Sequence, residues 1–189
     1  MINLPSVFSL RLTVALVVGA LAVGWVGRGA VNPASEGASV VGFGDWRMSC
    51  PPRSDTAAAC SVTQELAQEK GGAPILRFGV TADQASPTID IVVPFNVLLP
   101  KGIGLKVGDG ELRTFLFRTC TAVGCIATIK PDNALYRAVL GSGKISILFA
   151  DVTGKPVMKS LTKTGFARAV SAMNAAEGKR HSWLRRVLL

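Results

Sequence analysis

From about residue 42 onward, apolar and polar positions alternate in short runs broken by Gly, Pro, Asn and Asp, the pattern of β-strands and turns. The clearest run is Thr88–Val97, where Ile89, Ile91, Val93, Phe95 and Val97 share one face and Pro94 marks an edge or a bend. Phe43–Cys50, Cys60–Glu65, Pro74–Thr81, Gly104–Val107, Glu111–Thr119, Ile126–Lys130, Lys144–Ala150 and Pro156–Leu161 read as further strands. Asp151–Lys155 (DVTGK) reads as a hairpin turn between the last two. The period lengthens to 3.6 twice. Pro131–Val139 has Asp132 and Asn133 at a helix start, and Gly165–Ala176 puts Phe166, Ala169, Val170 and Met173 at helical spacing. No βαβ rhythm and no internal repeat interrupts the series. The pattern predicts a mainly β fold: an antiparallel β-sandwich of immunoglobulin-like architecture, with one short helix and a C-terminal helix.

The first 30 residues differ. Leu12 to Val26 is an apolar run of 15 residues preceded by Arg11 and followed by Arg28, and it predicts an N-terminal apolar helix. As a helix it covers about 22 Å of a hydrocarbon core roughly 30 Å thick, which suits a secretory signal better than a full span. Phe8, Leu10 and Gly27 lengthen it toward an anchor over residues 10–27, whose lipid-facing positions would include Leu12, Val17, Leu21 and Trp25. Signal peptide and retained anchor both stay open, and either places the rest outside the cytoplasm. Four segments follow: 1–30 signal or anchor, a small and polar linker over 31–41, the β-sandwich domain over 42–176, and a basic tail over 177–189.

Net charge is +9, and its excess is concentrated late. Lys159, Lys163, Arg168, Lys179, Arg180, Arg185 and Arg186 fall in the last 31 residues, where Glu177 is the only acid. Such a terminus suits phospholipid headgroups, lipopolysaccharide or an acidic protein face, and an exported chain meets no nucleic acid. Trp183, Leu184, Val187, Leu188 and Leu189 interleave with Arg180, Arg185 and Arg186, so the tail reads either as a short amphipathic docking helix or as a frayed end.

The four cysteines fall in two close pairs, Cys50/Cys60 and Cys120/Cys125. Loop closure favours those two pairings among the three connectivities, and oxidising compartments preserve them. A redox pair would use Cys-x-x-Cys at a helix start, whereas Cys120-x4-Cys125 lies between strand patterns. Four thiolates on zinc would need a reducing space.

Catalytic chemistry is scarce. His181 is the only histidine and lies in the tail, which nearly excludes a Ser/His/Asp triad or a two-histidine metal site within the fold. Paired carboxylates would have to come from Asp45, Glu65, Asp83, Asp90, Glu111 and Asp151, of which Asp90 alternates out of the apolar stripe and Asp151 suits a turn. Gly102–Gly108 imitates a phosphate loop without a following helix to supply N–H groups. Trp46 reads as core first and as a ligand platform second. No enzyme activity, cofactor or metal is expected.

Trp46 four residues before Cys50, then Cys60 leading Ser-Val-Thr-Gln, resembles the opening of the invasion-associated locus B family. Cys120-x4-Cys125, Phe149-x-Asp151 with Gly154, and Leu161-x3-Gly165-Phe166-x2-Ala169 resemble its later parts, so the likeness spans roughly Phe43 to Met173. It implies an exported alphaproteobacterial β-sandwich protein, with members linked to host-cell invasion, and no catalytic residues. The anchor and the basic tail depart from that pattern. Together the residues lead to the expectation of a periplasmic or envelope binding protein, an accessory subunit of an inner-membrane complex contacting it through Arg180, Trp183, Leu184, Arg185, Arg186 and Leu188. The alternative is a secreted or surface factor acting on host cells.

Overall fold

A computed structural model describes residues 38–188 apart from 53, 56, 68–71, 83–86 and 142; in the last helix, side chains are described as far as Ser182 apart from His181. Five consecutive strands form an antiparallel meander: β1 Ser39–Phe43, β2 Trp46–Cys50, β3 Ser61–Ala67, β4 Pro74–Thr81 and β5 Thr88–Val93. Later strands β8 Thr119–Thr121 and β9 Gly124–Ile129 complete a seven-stranded sheet of order β1-β2-β3-β4-β5-β9-β8. β6 Ile103–Val107, β7 Arg113–Phe115, β10 Ile145–Ala150 and β11 Pro156–Leu161 form a second sheet of order β11-β10-β6-β7. Helix α1 (Asn133–Leu140) bridges β9 to β10, and helix α2 (Phe166–Leu188) closes the chain.

The expected mainly β architecture of two antiparallel sheets and two helices is what forms. Alternation explains why. On β5 the buried side chains are Ile89, Ile91 and Val93, on β9 Cys125, Ala127 and Ile129, and on β10 Ile145, Ile147 and Phe149, every second position in each case. These side chains meet in one core with Trp46, Phe78, Leu105 and Leu161, and period 2 assigns one face of each strand to it. Pro94 ends β5 because it has no N–H to continue the ladder. Val97 then bridges Asp151, which ties the loop after β5 to the loop after β10.

Three boundaries differ from the sequence expectation. Ser39–Val41, within the stretch read as linker, is strand β1, and Gly44-Asp45 turns it into β2 where one continuous strand was expected. Gly44 takes a positive φ of 64°, which supplies the tight reversal. Glu111–Thr119 splits between β7 in one sheet and β8 in the other. Finally, α2 does not stop at Ala176 but runs unbroken to Leu188, so the segment read as a separate tail continues the helix.

The α2 helix lies over β2 at the start of its run. Trp46 is fully buried, 4.4 Å from the Phe166 ring and edge-on to Phe78, and its indole N–H donates to the Thr162 carbonyl at 3.0 Å. Gln64, the buried polar side chain of β3, pairs twice with Thr162: its amide donates to Oγ1 and its carbonyl accepts from the Thr162 N–H. Thr162 Oγ1 in turn donates to Asp45. Gly165 must be glycine, because its φ is 88° and a Cβ there would collide with the Phe43 carbonyl. Trp46 is therefore core and offers no ligand platform.

Candidate functional site

The residues singled out for chemistry are scattered. Asp90 accepts from Thr128 Oγ1 at 2.7 Å on the outer face of the large sheet. Asp151 accepts from the N–H groups of Thr153 and Lys155 and from Thr153 Oγ1, and that bonding, led by the hydroxyl, holds its carboxyl below the usual range. Glu65 pairs with Arg77, and Asp45 is taken up by Thr162. Asp83 and His181 lie outside the described residues and side chains. No group of three or more His, Cys, Asp or Glu among the described residues is placed to hold a metal ion. The Gly102–Gly108 segment is strand β6 with its flanking turns.

Both disulfides form as the spacing favours, Cys50–Cys60 and Cys120–Cys125. They sit at diagonally opposite corners of the large sheet. Cys50 ends β2 and Cys60 precedes β3 at one corner, whereas Cys120 and Cys125 face each other across the β8–β9 hairpin at the other.

At the first corner a site emerges that sequence reasoning missed. Along α2 the buried positions are Phe166, Ala169, Val170 and Met173, followed by Glu177 and Arg180. The last two continue the same stripe at i+4 and i+7 from Met173, which puts two charged residues where apolar ones belong. The loop between the cysteines receives them. Glu177 accepts from the Cys60 N–H at 2.9 Å, and the Arg180 guanidinium donates to the carbonyls of Pro51, Pro52, Asp55 and Ala58. The two also stand 3.6 Å apart as an ion pair. A guanidinium fork with five donors suits four carbonyls at once, as an ammonium does not. Arg180, expected at a membrane or partner surface, is instead only 9 % exposed and turned into its own domain. The legible signal was the spacing Met173–Glu177–Arg180, hidden by the habit of reading charge as surface.

Arg180 thus fixes where the helix stands, and α2 continues for residues 181–188 beyond it. Leu12, Val17, Leu21 and Trp25 lie outside the described residues, and so do the side chains of Trp183, Leu184, Arg185, Arg186 and Leu188. No described helix is long and apolar enough to cross a membrane.

At the start of α2 the electrostatics differ. Lys163 donates to the Val139 carbonyl at 2.6 Å and lies 4.2 Å over the Phe166 ring, yet burial pulls its pKa down to about 8. Asp132 caps α1 by accepting from the Leu135 N–H at 2.7 Å and pairs with Arg113, and that order of causes lowers its pKa.

Comparison with known proteins agrees with this construction. Residues 46–174 match the family model of the invasion associated locus B (IalB) protein. Two invasion protein B homologs of Brucella abortus, from strain 2308 and from biovar 1 strain 9-941, are each 27% identical over 136 residues, covering 70% of this chain and 78% of theirs. The crystal structure of invasion associated protein B from Bartonella henselae superposes with a TM-score of 0.63 at 20% identity, over 74% of this chain and 99% of that one, which shows the shared fold. With two disulfides in a two-sheet domain that matches over most of its length, the chain belongs to the invasion associated locus B family of exported envelope proteins.

Proposed function

We propose that the protein is a periplasmic binding protein without enzymatic activity, which docks on an inner-membrane protein complex through the outer turns of α2. The observation that carries this reading is that α2 runs on as helix over residues 181–188, past Arg180, which anchors it to the domain. A helix that short would be marginal in isolation, because nucleation is unfavourable. Here the packed turns from Phe166 to Arg180 supply the nucleus, so the outer turns only extend it. Their sequence, with Trp183, Leu184, Val187 and Leu188 at i, i+1, i+4 and i+5 and Arg185 and Arg186 between them, is that of a helix laid in a partner's groove. The apolar run at residues 10–27, retained as an anchor, would keep the domain beside that complex. The family is not known for catalysis, which agrees with a binding role.

The test is a mild-detergent pull-down of the full tagged chain from its native membranes, beside the same chain ended after Ser182. That truncation spares Arg180. A stoichiometric membrane complex that the full chain retains and the shortened chain loses supports the docking helix; equal recovery by both chains refutes it.

A second reading has its own support in the family and in the names of the Brucella and Bartonella relatives: a secreted or surface factor acting on host cells. Intact-mass measurement separates the two. A processed protein released without a membrane partner favours the secreted factor, and an intact N-terminus inside a complex favours the accessory subunit.

A further inference from the structure

The corner that holds Cys120–Cys125 gathers exposed apolar side chains that no part of the fold uses. Phe95 follows β5, Leu99 precedes β6, Leu116 follows β7, Val123 tips the β8–β9 turn, and Val152 tips the β10–β11 turn. They are 58%, 44%, 76%, 64% and 62% exposed, respectively. The topology brings these turns together. Val93 pairs with Cys125, so Phe95 and Val123 leave the same sheet end, and a Cβ at Gly124 would collide with the Val93 carbonyl. Ile103 pairs with Phe115, which puts Leu116 beside the segment that carries Leu99. The Val97–Asp151 bridge adds Val152.

Charge at this corner is mostly positive. Lys101, Arg118 and Lys155 are exposed in these turns, and Asp151, the acid among them, uses Oδ1 for three bonds within its own turn. Apolar tips on separate turns, ringed by three cations against one turn-bonded carboxylate, match the boundary between anionic headgroups and acyl chains. A protein groove would instead be met by a continuous face with Trp, Tyr or Arg anchors and paired polar groups. We propose that this apex inserts into an anionic phospholipid surface. Its occupant is lipid, and it lies on the far corner from the Arg180 site, so it is independent of the docking helix.

The experiment adds full-length protein to preformed vesicles with and without phosphatidylglycerol and follows amide exchange by mass spectrometry. A Phe95→Ser/Leu116→Ser variant is run in parallel. Both proteins carry the same N-terminal segment and tail, so their difference reads the apex alone. Both substituted residues are exposed, so an unchanged thermal midpoint verifies the fold. The expected result is protection of residues 95–101, 116–124 and 151–155 on the anionic vesicles. The variant should lose that protection and bind about tenfold more weakly. Equal affinity of variant and parent overturns the proposal, as does equal protection on neutral vesicles. Protection that appears only with a membrane protein fraction also overturns it, and assigns the corner to a protein.

Discussion

The two disulfide corners are built alike and used differently. Each closes a local loop, of sequence separation 10 at Cys50–Cys60 and 5 at Cys120–Cys125. At the first, both cysteines are buried and the loop's carbonyls turn inward onto Arg180. At the second, Cys120 is exposed and the turn beyond it bonds mainly within itself, Val123 N–H to Thr121 Oγ1. A disulfide restricts a loop's freedom but does not decide where its polar groups go. A distant residue does, 122 to 129 positions away in the case of Arg180.

The sharpest way to break the comparison is to remove that distant residue. Arg180→Ala strips the donor from four carbonyls and the counter-charge from buried Glu177, and truncating one member of a buried pair costs about 3–5 kcal/mol. Urea unfolding should show a loss near that size, with Arg180→Lys recovering only part because an ammonium lacks the planar fork. A loss no larger than that of the exposed neighbour in Lys179→Ala would mean that the disulfide alone holds the loop.

The disulfides themselves come next. Cys50→Ser/Cys60→Ser should cost about 3 kcal/mol and Cys120→Ser/Cys125→Ser about 2 kcal/mol, following loop length. The local consequences should be reversed in rank. With Arg180 in place, the 51–59 backbone should keep its exchange protection after its disulfide is gone, whereas the 121–124 turn should lose what it has. Equal loss of protection at both corners would erase the distinction between an inward and an outward loop.

Those long-range bonds also mark the limit of what the chain reveals by itself. The core stripe of β5 as far as Val93, the Asp151–Lys155 turn, the Asp132 cap and the cysteine pairs follow from local spacing and form where it puts them, whereas Phe95, expected in the same stripe, falls past Pro94 and is exposed. Strand β1 was hidden because Ser39, Val40 and Gly42 are small and exposed, so an edge strand looks like a linker. The β7/β8 division was hidden because a change of sheet leaves no change of period. Glu177 and Arg180 were hidden because their burial depends on a backbone N–H and on carbonyls that the sequence places more than a hundred residues earlier. The apolar apex was equally illegible: its five tips come from four separate connections, and only the topology brings them to one corner.

The smallest effect contrasts two cations at the two ends of the packed part of α2. Arg180 has four carbonyls to satisfy its guanidinium. Lys163 has one carbonyl and one ring, and burial lowers its pKa from 10.5 to about 8. Below pH 8 the amine is protonated in both the folded and the unfolded chain, and the folded state carries the full cost of burying the charge. Between pH 8 and 10.5 the unfolded chain binds more protons, so stability rises with pH across that window; above it both states are neutral and the cost is gone. Lys163→Met removes the titrating group. The stability difference between parent and Lys163→Met should therefore move in the parent's favour by about 1 kcal/mol from pH 7.5 to 10, after allowance for solvent screening. A flat Lys163 difference would show that the Val139 carbonyl and the Phe166 ring hold the proton against burial, and the two ends of the helix would then be electrostatically alike.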